Sequence, residues 1–159
     1  MNTLIVYASK HGCTEKCAQL VAKELHNKTD IINLNTQENI DISKYDKVII
    51  GGSIYIGKIQ KAVSQFCSTN LNELKRKKIG LFICGMQEGD AITTEINQNF
   101  PAELINIAAA KEHLGGEFVF AKMNFVEKFI VKKVSKTSTD KSNILTDNIS
   151  KLSLAMNGV

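Results

Sequence analysis

The residues best suited to chemistry near the amino terminus are the hydroxyl, imidazole and thiol side chains between Ser9 and Thr14. They follow the short apolar run Leu4–Ala8, which predicts a buried strand. They precede apolar residues at three- and four-residue steps, which predict a helix. Such a junction leaves backbone N–H groups unpaired at the positive end of the helix dipole. It therefore predicts a phosphate-binding turn, with an ordinary capped turn as the alternative.

Five residues of this turn could help to hold a phosphate. Ser9 and Thr14 offer hydroxyl donors, and Gly12 lets the backbone approach closely. A protonated His11 would add positive charge, although an exposed loop histidine is an equal alternative. Cys13 falls at a helix start, where a thiolate is favoured, but we expect its backbone N–H to matter more.

The four cysteines do not form a recognisable framework. Cys13 and Cys17 are four residues apart, with His11 as the only other nearby ligand of the usual zinc type. We therefore expect neither a metal site nor a set of disulfides. Cys67 and Cys84 lie among apolar residues and are expected to fill the core.

Composition and length predict one globular domain over residues 1–159, with 43% hydrophobic and 23% charged residues. No apolar run is long enough to span a bilayer and no secretory signal is evident, so we expect a cytoplasmic protein. The net charge is +4, and Arg76 is the only arginine. A nucleic-acid partner is not expected, because no clustered basic patch or binding motif stands out.

Strand and helix patterns alternate along the chain. This alternation predicts an α/β fold in which helices cover both faces of a parallel sheet. The predicted strands are Thr3–Ala8, Asp30–Leu34, Asp46–Gly51, Lys78–Cys84 and Glu117–Ala121. The predicted helices are Cys13–Asn27, Lys58–Asn70, a stretch from Ala91 that is interrupted near Pro101 and resumes to Lys111, Phe125–Lys136 and Lys141–Met156.

Three loops leave the carboxyl ends of predicted strands, where open parallel sheets bind ligands. They are Ser9–Thr14, Gly51–Gly57 and Cys84–Asp90. Tyr55 is suited to stack on a flat ring, and Met86 offers a softer apolar surface. Either residue could instead pack within its own loop. One loop for a phosphate and two for a planar ring together predict a mononucleotide site.

The loops resemble those of the flavodoxin superfamily, and the resemblance covers nearly the whole chain. Ser9–Thr14 is similar to the family's loop for the phosphate of flavin mononucleotide (FMN). Ser53–Gly57 is similar to the loop whose aromatic residue stacks on the isoalloxazine, and Gly85–Asp90 to the second ring-binding loop. The resemblance implies a doubly wound, five-stranded parallel sheet of order 2-1-3-4-5 in three α/β/α layers.

The resemblance also implies which residues bind the cofactor. The candidate FMN-binding residues are Ser9, Lys10, His11, Gly12, Cys13, Thr14, Ser53, Ile54, Tyr55, Ile56, Gly57, Cys84, Gly85, Met86, Gln87, Gly89 and Asp90. No residue is expected to be catalytic, because the flavin carries the chemistry and no acid–base machinery stands out.

Within the superfamily, the chain most resembles the flavodoxin-domain group that includes menaquinone-dependent protoporphyrinogen oxidase. The segments Ile49–Gly57 and Gly116–Lys133 carry this likeness. The predicted helix Phe125–Lys136 combines apolar residues with lysines. Such a helix allows weak contact with a membrane surface, but more often covers one side of a sheet.

These observations together indicate an FMN-binding redox protein. One hypothesis is an electron carrier between partner proteins. A second is an oxidoreductase that acts on a quinone-like or porphyrinogen substrate. A third is a flavin-free interaction module.

Overall fold

The computed structural model describes residues 1–9, 12–118 and 141–158. The strands are β1 (Asn2–Ala8), β2 (Lys28–Asn33), β3 (Lys47–Tyr55), β4 (Lys58–Ile59), β5 (Lys78–Cys84), β6 (Ala110–His113), β7 (Gly115–Phe118) and β8 (Lys141–Ile144). The helices are α1 (Cys13–Glu24), α2 (Lys61–Thr69), α3 (Leu71–Leu74), α4 (Asp90–Asn99), α5 (Ala102–Ile107) and α6 (Thr146–Asn157).

The main sheet is parallel and has the spatial order β2-β1-β3-β5-β6. Counted along the chain, these five parallel strands have the order 2-1-3-4-5, so the expected fold class is confirmed. Strand β4 folds back antiparallel on β3. Strands β7 and β8 form a separate antiparallel pair.

The central strands are apolar throughout because helices cover both of their faces. On one face, alternate residues such as Leu4, Val48 and Leu81 pack with apolar side chains from α2, α3, α4 and α5. On the other face, Ile49 and Phe82 pack against α1 and α6. The molecule therefore has the three layers that were expected.

The predicted fifth strand was wrong in position. The fifth strand of the sheet is Ala110–His113, and its first two residues were expected to end a helix. Its sequence Ala-Lys-Glu-His has no apolar alternation, and pairing with β5 rather than local pattern makes it a strand. Of the predicted strand Glu117–Ala121, the first two residues end β7, outside the parallel sheet, and the other three lie outside the described residues.

Helix boundaries differ from expectation where short strands come first. The helix predicted from Lys58 starts at Lys61, because the two preceding residues form β4. The last helix starts at Thr146, after β8. The predicted helix Phe125–Lys136 lies outside the described residues. Within the described ranges, no helix combines the length and apolar character needed to cross a membrane.

A buried lysine anchors α6 at the edge of the sheet opposite the three loops. Lys47 is only 3% exposed, and its Nζ donates to the carbonyl oxygens of Met156, at 2.6 Å, and Gly158, at 3.2 Å. The carbonyl end of a helix attracts a cation, because its last C=O groups have no helical partners. Lys78 reinforces the contact by donating to the Gly158 oxygen at 2.5 Å.

We expect Lys47→Met to lower the free energy of unfolding by about 2 kcal/mol, since charged hydrogen bonds to buried carbonyls are lost. Urea denaturation followed by circular dichroism measures this loss. The exposed Lys75 provides the control, because Lys75→Met should change the unfolding free energy by less than about 0.5 kcal/mol. Equal effects of the two substitutions would contradict the anchoring role of Lys47.

Candidate functional site

The ends of the three central strands bring the predicted loops to one edge of the sheet. In register, Ala8 of β1 lies beside Gly52 of β3, and Ser53 of β3 lies beside Cys84 of β5. Parallel strands have their carboxyl ends at the same edge, so the segments that follow these residues leave from adjacent positions. The sequence prediction of three neighbouring loops agrees with this register.

The first loop is a tight turn into α1. The backbone N–H of Gly12 donates to Ser9 Oγ at 2.9 Å, and Gly12 has a left-handed φ of 93°. Glycine adopts this backbone conformation without strain. Within the described part of the chain, no side chain caps the start of α1. Lys10 and His11, which were also expected to bind, lie outside the described residues.

Thr14 carries an unpaired hydroxyl in the first turn of α1. Its side chain is fully buried, and Thr14 Oγ1 has no hydrogen-bond partner among the described residues. A buried hydroxyl without a partner costs about 1–3 kcal/mol, so a folded protein rarely keeps one without a reason. A ligand that accepts a hydrogen bond at the helix start would remove this cost.

The buried floor beneath the turn is uncharged at neutral pH. Burial raises the pKa of the Tyr7 phenol, and the negative charge of Glu15 and a hydrogen bond to it raise it further. The pKa of Cys84 is raised by hydrogen bonding to the thiols of Cys13 and Cys17, and then by burial. Tyr7 and Cys84 are therefore neutral and add no negative charge beneath the turn.

The second segment is a β-hairpin rather than the loop that was expected. Strand β3 continues through Ser53 and Ile54 to Tyr55, and Tyr55 pairs with Lys58 of β4. The pattern of glycines suggested a loop, but antiparallel pairing with β4 extends the strand. Only two residues make the turn, Ile56 with φ of 51° and Gly57 with φ of 74°. Positive φ at both central residues is what a type I′ hairpin requires.

Ile56 is strained at this turn. A β-branched residue rarely adopts a positive φ, and its side chain is 68% exposed, so burial does not compensate. Backbone strain of this kind is typical of functional sites, where the residue is retained for function rather than for stability.

Asn99, at the end of α4, holds the hairpin in place. Its Oδ1 accepts from the backbone N–H of Ile59 at 2.9 Å, and its Nδ2 donates to the Gly57 oxygen at 3.0 Å. Nδ2 also donates to the Glu95 oxygen within α4 at 2.7 Å. One side chain therefore joins both sides of the turn to a rigid helix.

We expect Asn99→Ala to destabilise the hairpin by about 1–2 kcal/mol, because both links to the turn are lost. Amide hydrogen exchange at Ile59 should accelerate roughly tenfold, which NMR can measure. The exposed Asn97 on the same helix supplies the control, since Asn97→Ala removes none of these bonds. Unchanged exchange at Ile59 in Asn99→Ala would refute the anchoring role.

We expect Ile56→Asn to raise the free energy of unfolding by about 1 kcal/mol, because asparagine tolerates the left-handed backbone. Thermal and urea unfolding measure the gain. Ile31, which is 38% exposed on the extended strand β2, is the matched control, and Ile31→Asn should be destabilising. A loss of stability in Ile56→Asn would show that the turn is not strained.

The backbone of the third loop is already bonded within the protein. The N–H of Gly85 donates to the Gly115 oxygen at 2.8 Å. The oxygen of Gly85 lies 2.7 Å from His113 Nε2, and since a carbonyl only accepts, this nitrogen carries the proton. His113 Nδ1 is buried and has no partner among the described residues. The peptide groups of Gly85 are thus less free to contact a ligand than was expected.

The rest of the third loop lines a small cavity of about 220 Å³. Met86, Gln87, Gly89 and His113 belong to its lining. Gln87 Nε2 donates to Glu95, which fixes the amide towards α4. Asp90 is exposed and begins α4 rather than pointing to a defined site.

A larger cleft of about 680 Å³ joins the first loop to the hairpin. Its lining includes Ser9, the hairpin residues Tyr55 and Ile56, and the exposed Lys58 and Lys61. Its volume is in the range of small-molecule sites. The structure therefore brings together two of the three predicted loops in one cleft, whereas the third loop lines a neighbouring cavity.

Four polar residues of the site were not found by sequence reasoning. Asn35 Nδ2 donates to the Ser9 oxygen at 3.2 Å, and Gln60 Nε2 donates to Ser53 Oγ at 3.2 Å. Asn99 and His113 anchor the second and third loops, as described above. Asn35 follows β2 closely enough to have been suspected, but Asn99 and His113 carry no local signal.

Comparison with known proteins agrees with the fold. A family model described as "Flavodoxin domain" matches residues 4–144. A protoporphyrinogen IX dehydrogenase [quinone] of Escherichia coli strain K12 is 24% identical, covering 92% of this chain and 88% of that protein.

Solved structures give the same result. A short-chain flavodoxin associated with a non-canonical PDU bacterial microcompartment aligns with a TM-score of 0.63 at 16% identity, over 98% of this chain and 96% of the other. A Lactobacillus acidophilus flavoprotein in complex with FMN aligns with a TM-score of 0.50 at 17% identity, over 72% of this chain and 91% of the other.

Proposed function

Because the chain belongs to the flavodoxin-domain family, we propose that it is an FMN-binding redox protein whose flavin occupies the edge where β1, β3 and β5 end. The observation that carries this proposal is the buried hydroxyl of Thr14 at the start of α1, which has no partner among the described residues. The family likeness supplies the kind of ligand, and the hydroxyl supports a place for an acceptor at this turn.

The first turn fits a phosphate. Thr14 Oγ1 would donate to a phosphate oxygen, and the start of α1 adds the positive end of its dipole. The Gly12 N–H already donates to Ser9 Oγ, so these two residues are held together before any ligand arrives. Preorganised donors bind more tightly, because less conformational entropy is lost on binding.

The cleft beside the turn fits a planar ring. Tyr55 is half-buried at the end of β3 and lines the same cleft as Ser9. Stacking of an aromatic side chain on a ring contributes about 0.5–1.5 kcal/mol beyond the buried area. The strained Ile56 follows Tyr55 in the chain and lines the same cleft. Its branched side chain would cover the edge of the bound ring.

When bound, FMN supplies the redox chemistry by taking up and releasing electrons. The protein residues bind the phosphate, orient the ring and restrict water on one side of it. His113, with its proton fixed on Nε2 by the Gly85 oxygen, holds the third loop close to β6.

The first experiment is to add FMN to the purified protein and record flavin absorption and fluorescence. We expect a perturbed absorption band and quenched fluorescence with saturation at one FMN per chain. The absence of uptake at micromolar FMN would refute the proposal and favour a flavin-free interaction module.

We expect Thr14→Val to weaken FMN binding about tenfold while leaving the flavin-free protein as stable as before or more stable. Valine keeps the shape but removes a hydroxyl that has no partner in the described part of the chain. Isothermal titration and urea unfolding measure the two effects. Thr3→Val, at the opposite end of β1, is the control that should not alter FMN affinity. An unchanged FMN affinity in Thr14→Val would remove Thr14 from the site.

We expect Tyr55→Leu to weaken FMN binding by about fivefold to tenfold and to relieve part of the fluorescence quenching, since ring stacking is lost. The comparison with Tyr45→Leu tests specificity, because Tyr45 is buried away from the cleft and bonds Asp30. Quenching retained fully in Tyr55→Leu would place the ring elsewhere.

A second candidate function is oxidation of a porphyrinogen with a quinone as acceptor. It is favoured by the similarity to the E. coli dehydrogenase over 92% of this chain. Steady-state turnover of protoporphyrinogen with a menaquinone analogue would establish it. Without turnover, salt-sensitive reduction of an acidic partner protein would favour an electron carrier, because the chain has a net charge of +4.

The proposed redox function also leads us to expect a cellular location and a class of partner. We expect the protein to work in the cytoplasm, where a redox partner protein or a membrane-borne quinone is within reach. Weak contact of residues 125–136 with an anionic membrane surface stays a proposal, which vesicle co-sedimentation would test.

A further inference from the structure

Three of the four cysteines converge beneath the first turn. Cys13 and Cys17 are one helical turn apart on the face of α1 that packs against the sheet, and Cys84 ends β5. The three sulfur atoms all lie within 4.8 Å of one another. All three cysteines are reduced rather than in disulfides, and they are at most 8% exposed. The sequence argument against a metal site considered Cys13, Cys17 and His11 but not Cys84, because Cys84 is distant along the chain.

We propose that Cys13, Cys17 and Cys84 form a binding site for one soft, thiophilic metal ion, copper(I). This site lies outside the proposed FMN function, since none of its three sulfur atoms is needed to hold the flavin.

The separation of the sulfur atoms suits three ligands around one ion. Metal–sulfur bonds near 2.3 Å place three thiolates about 4.0 Å apart in a plane around the metal. The observed limit of 4.8 Å therefore requires the sulfur atoms to close by less than about 1 Å. Rotation of the cysteine side chains supplies such a shift without moving α1 or β5.

The identity of the ligands selects copper(I). Soft thiolates favour copper(I), zinc and iron–sulfur clusters, whereas carboxylates favour harder ions such as magnesium and calcium. Structural zinc takes four ligands, and the cluster found among the described residues contains only three. Copper(I) can bind three sulfur ligands, because it does not require a tetrahedral site.

The surroundings also suit a thiolate site. Cys13 is the first residue of α1, where the helix dipole stabilises negative sulfur. In the metal-free protein the Cys17 thiol donates to the Leu114 oxygen at 3.7 Å, and it gives up this bond when it coordinates as a thiolate. The ligands come from one helix and one strand, which are rigid supports. Each thiol that coordinates as a thiolate releases its proton to solvent.

Cys67 provides a matched internal control. It is 1% exposed, like the cluster cysteines, but it lies on α2 at the other face of the sheet. Burial raises its pKa to about 12, and it has the character of an inert core thiol. If loss of copper binding is specific to the three-cysteine site, the Cys67→Ala variant should bind copper(I) as the wild type does.

The test is an anaerobic titration of the reduced, flavin-free protein with copper(I) in the presence of a chromophoric copper(I) chelator. We expect one copper(I) per chain and a sulfur-to-copper charge-transfer band. Cys13→Ala, Cys17→Ala and Cys84→Ala should each weaken binding by at least about 100-fold, and Cys67→Ala should not change it. Circular dichroism establishes that each variant is folded.

X-ray absorption at the copper edge of the wild-type protein tests the site without substitution. Three sulfur ligands and no nitrogen or oxygen ligand would support the proposal. Copper lost to the chelator, copper held by other ligands, equal weakening in Cys67→Ala, or uptake of zinc but not copper(I) would each overturn it. Since no flavin is present, the result does not depend on whether the protein binds FMN.

Discussion

The structure depends on the close parallel pairing of β1, β3 and β5, three strands buried on both faces. Hydrophobic burial against helices on each side fixes their register, and the register fixes where they end. Gly51 shows how tight this packing is, because a Cβ there would collide with the ring of Phe82. The site edge follows from this arrangement, since the first turn, the hairpin and the third loop begin at the neighbouring strand ends.

The edge itself is less stable locally than the core that carries it. Among the described residues, the buried Thr14 hydroxyl and the buried His113 Nδ1 have no hydrogen-bond partner, and Ile56 adopts a left-handed backbone. Each feature is unfavourable in the isolated chain, whereas the strands beneath have complete ladders. Functional sites often keep such costs because a ligand or a required geometry compensates for them. The concentration of these features at one edge agrees with the proposed FMN site.

The sequence revealed those parts of the fold that local pattern controls. The apolar runs of β1, β3 and β5 and the turn before α1 follow from residue type, and the strand order followed from the resemblance to flavodoxins. The strand Ala110–His113 was missed because its residues are polar or small and only its pairing with β5 makes it a strand. Asn99 and the meeting of Cys84 with Cys13 were also not predictable, since each depends on contacts between distant parts of the chain. The hairpin at Tyr55 was only partly predictable. Its glycines indicated a turn, but they did not indicate the pairing with β4.

The central claim is that the first turn and the cleft beside it together form one mononucleotide site. The most direct measurement compares the affinities of the flavin-free protein for FMN and for riboflavin, which has the same ring but no phosphate. The account predicts that FMN binds at least about 100-fold more tightly, because charge-assisted hydrogen bonds at the start of α1 are made only by the phosphate. Equal affinities for the two flavins would contradict it, since the turn would then contribute nothing to binding.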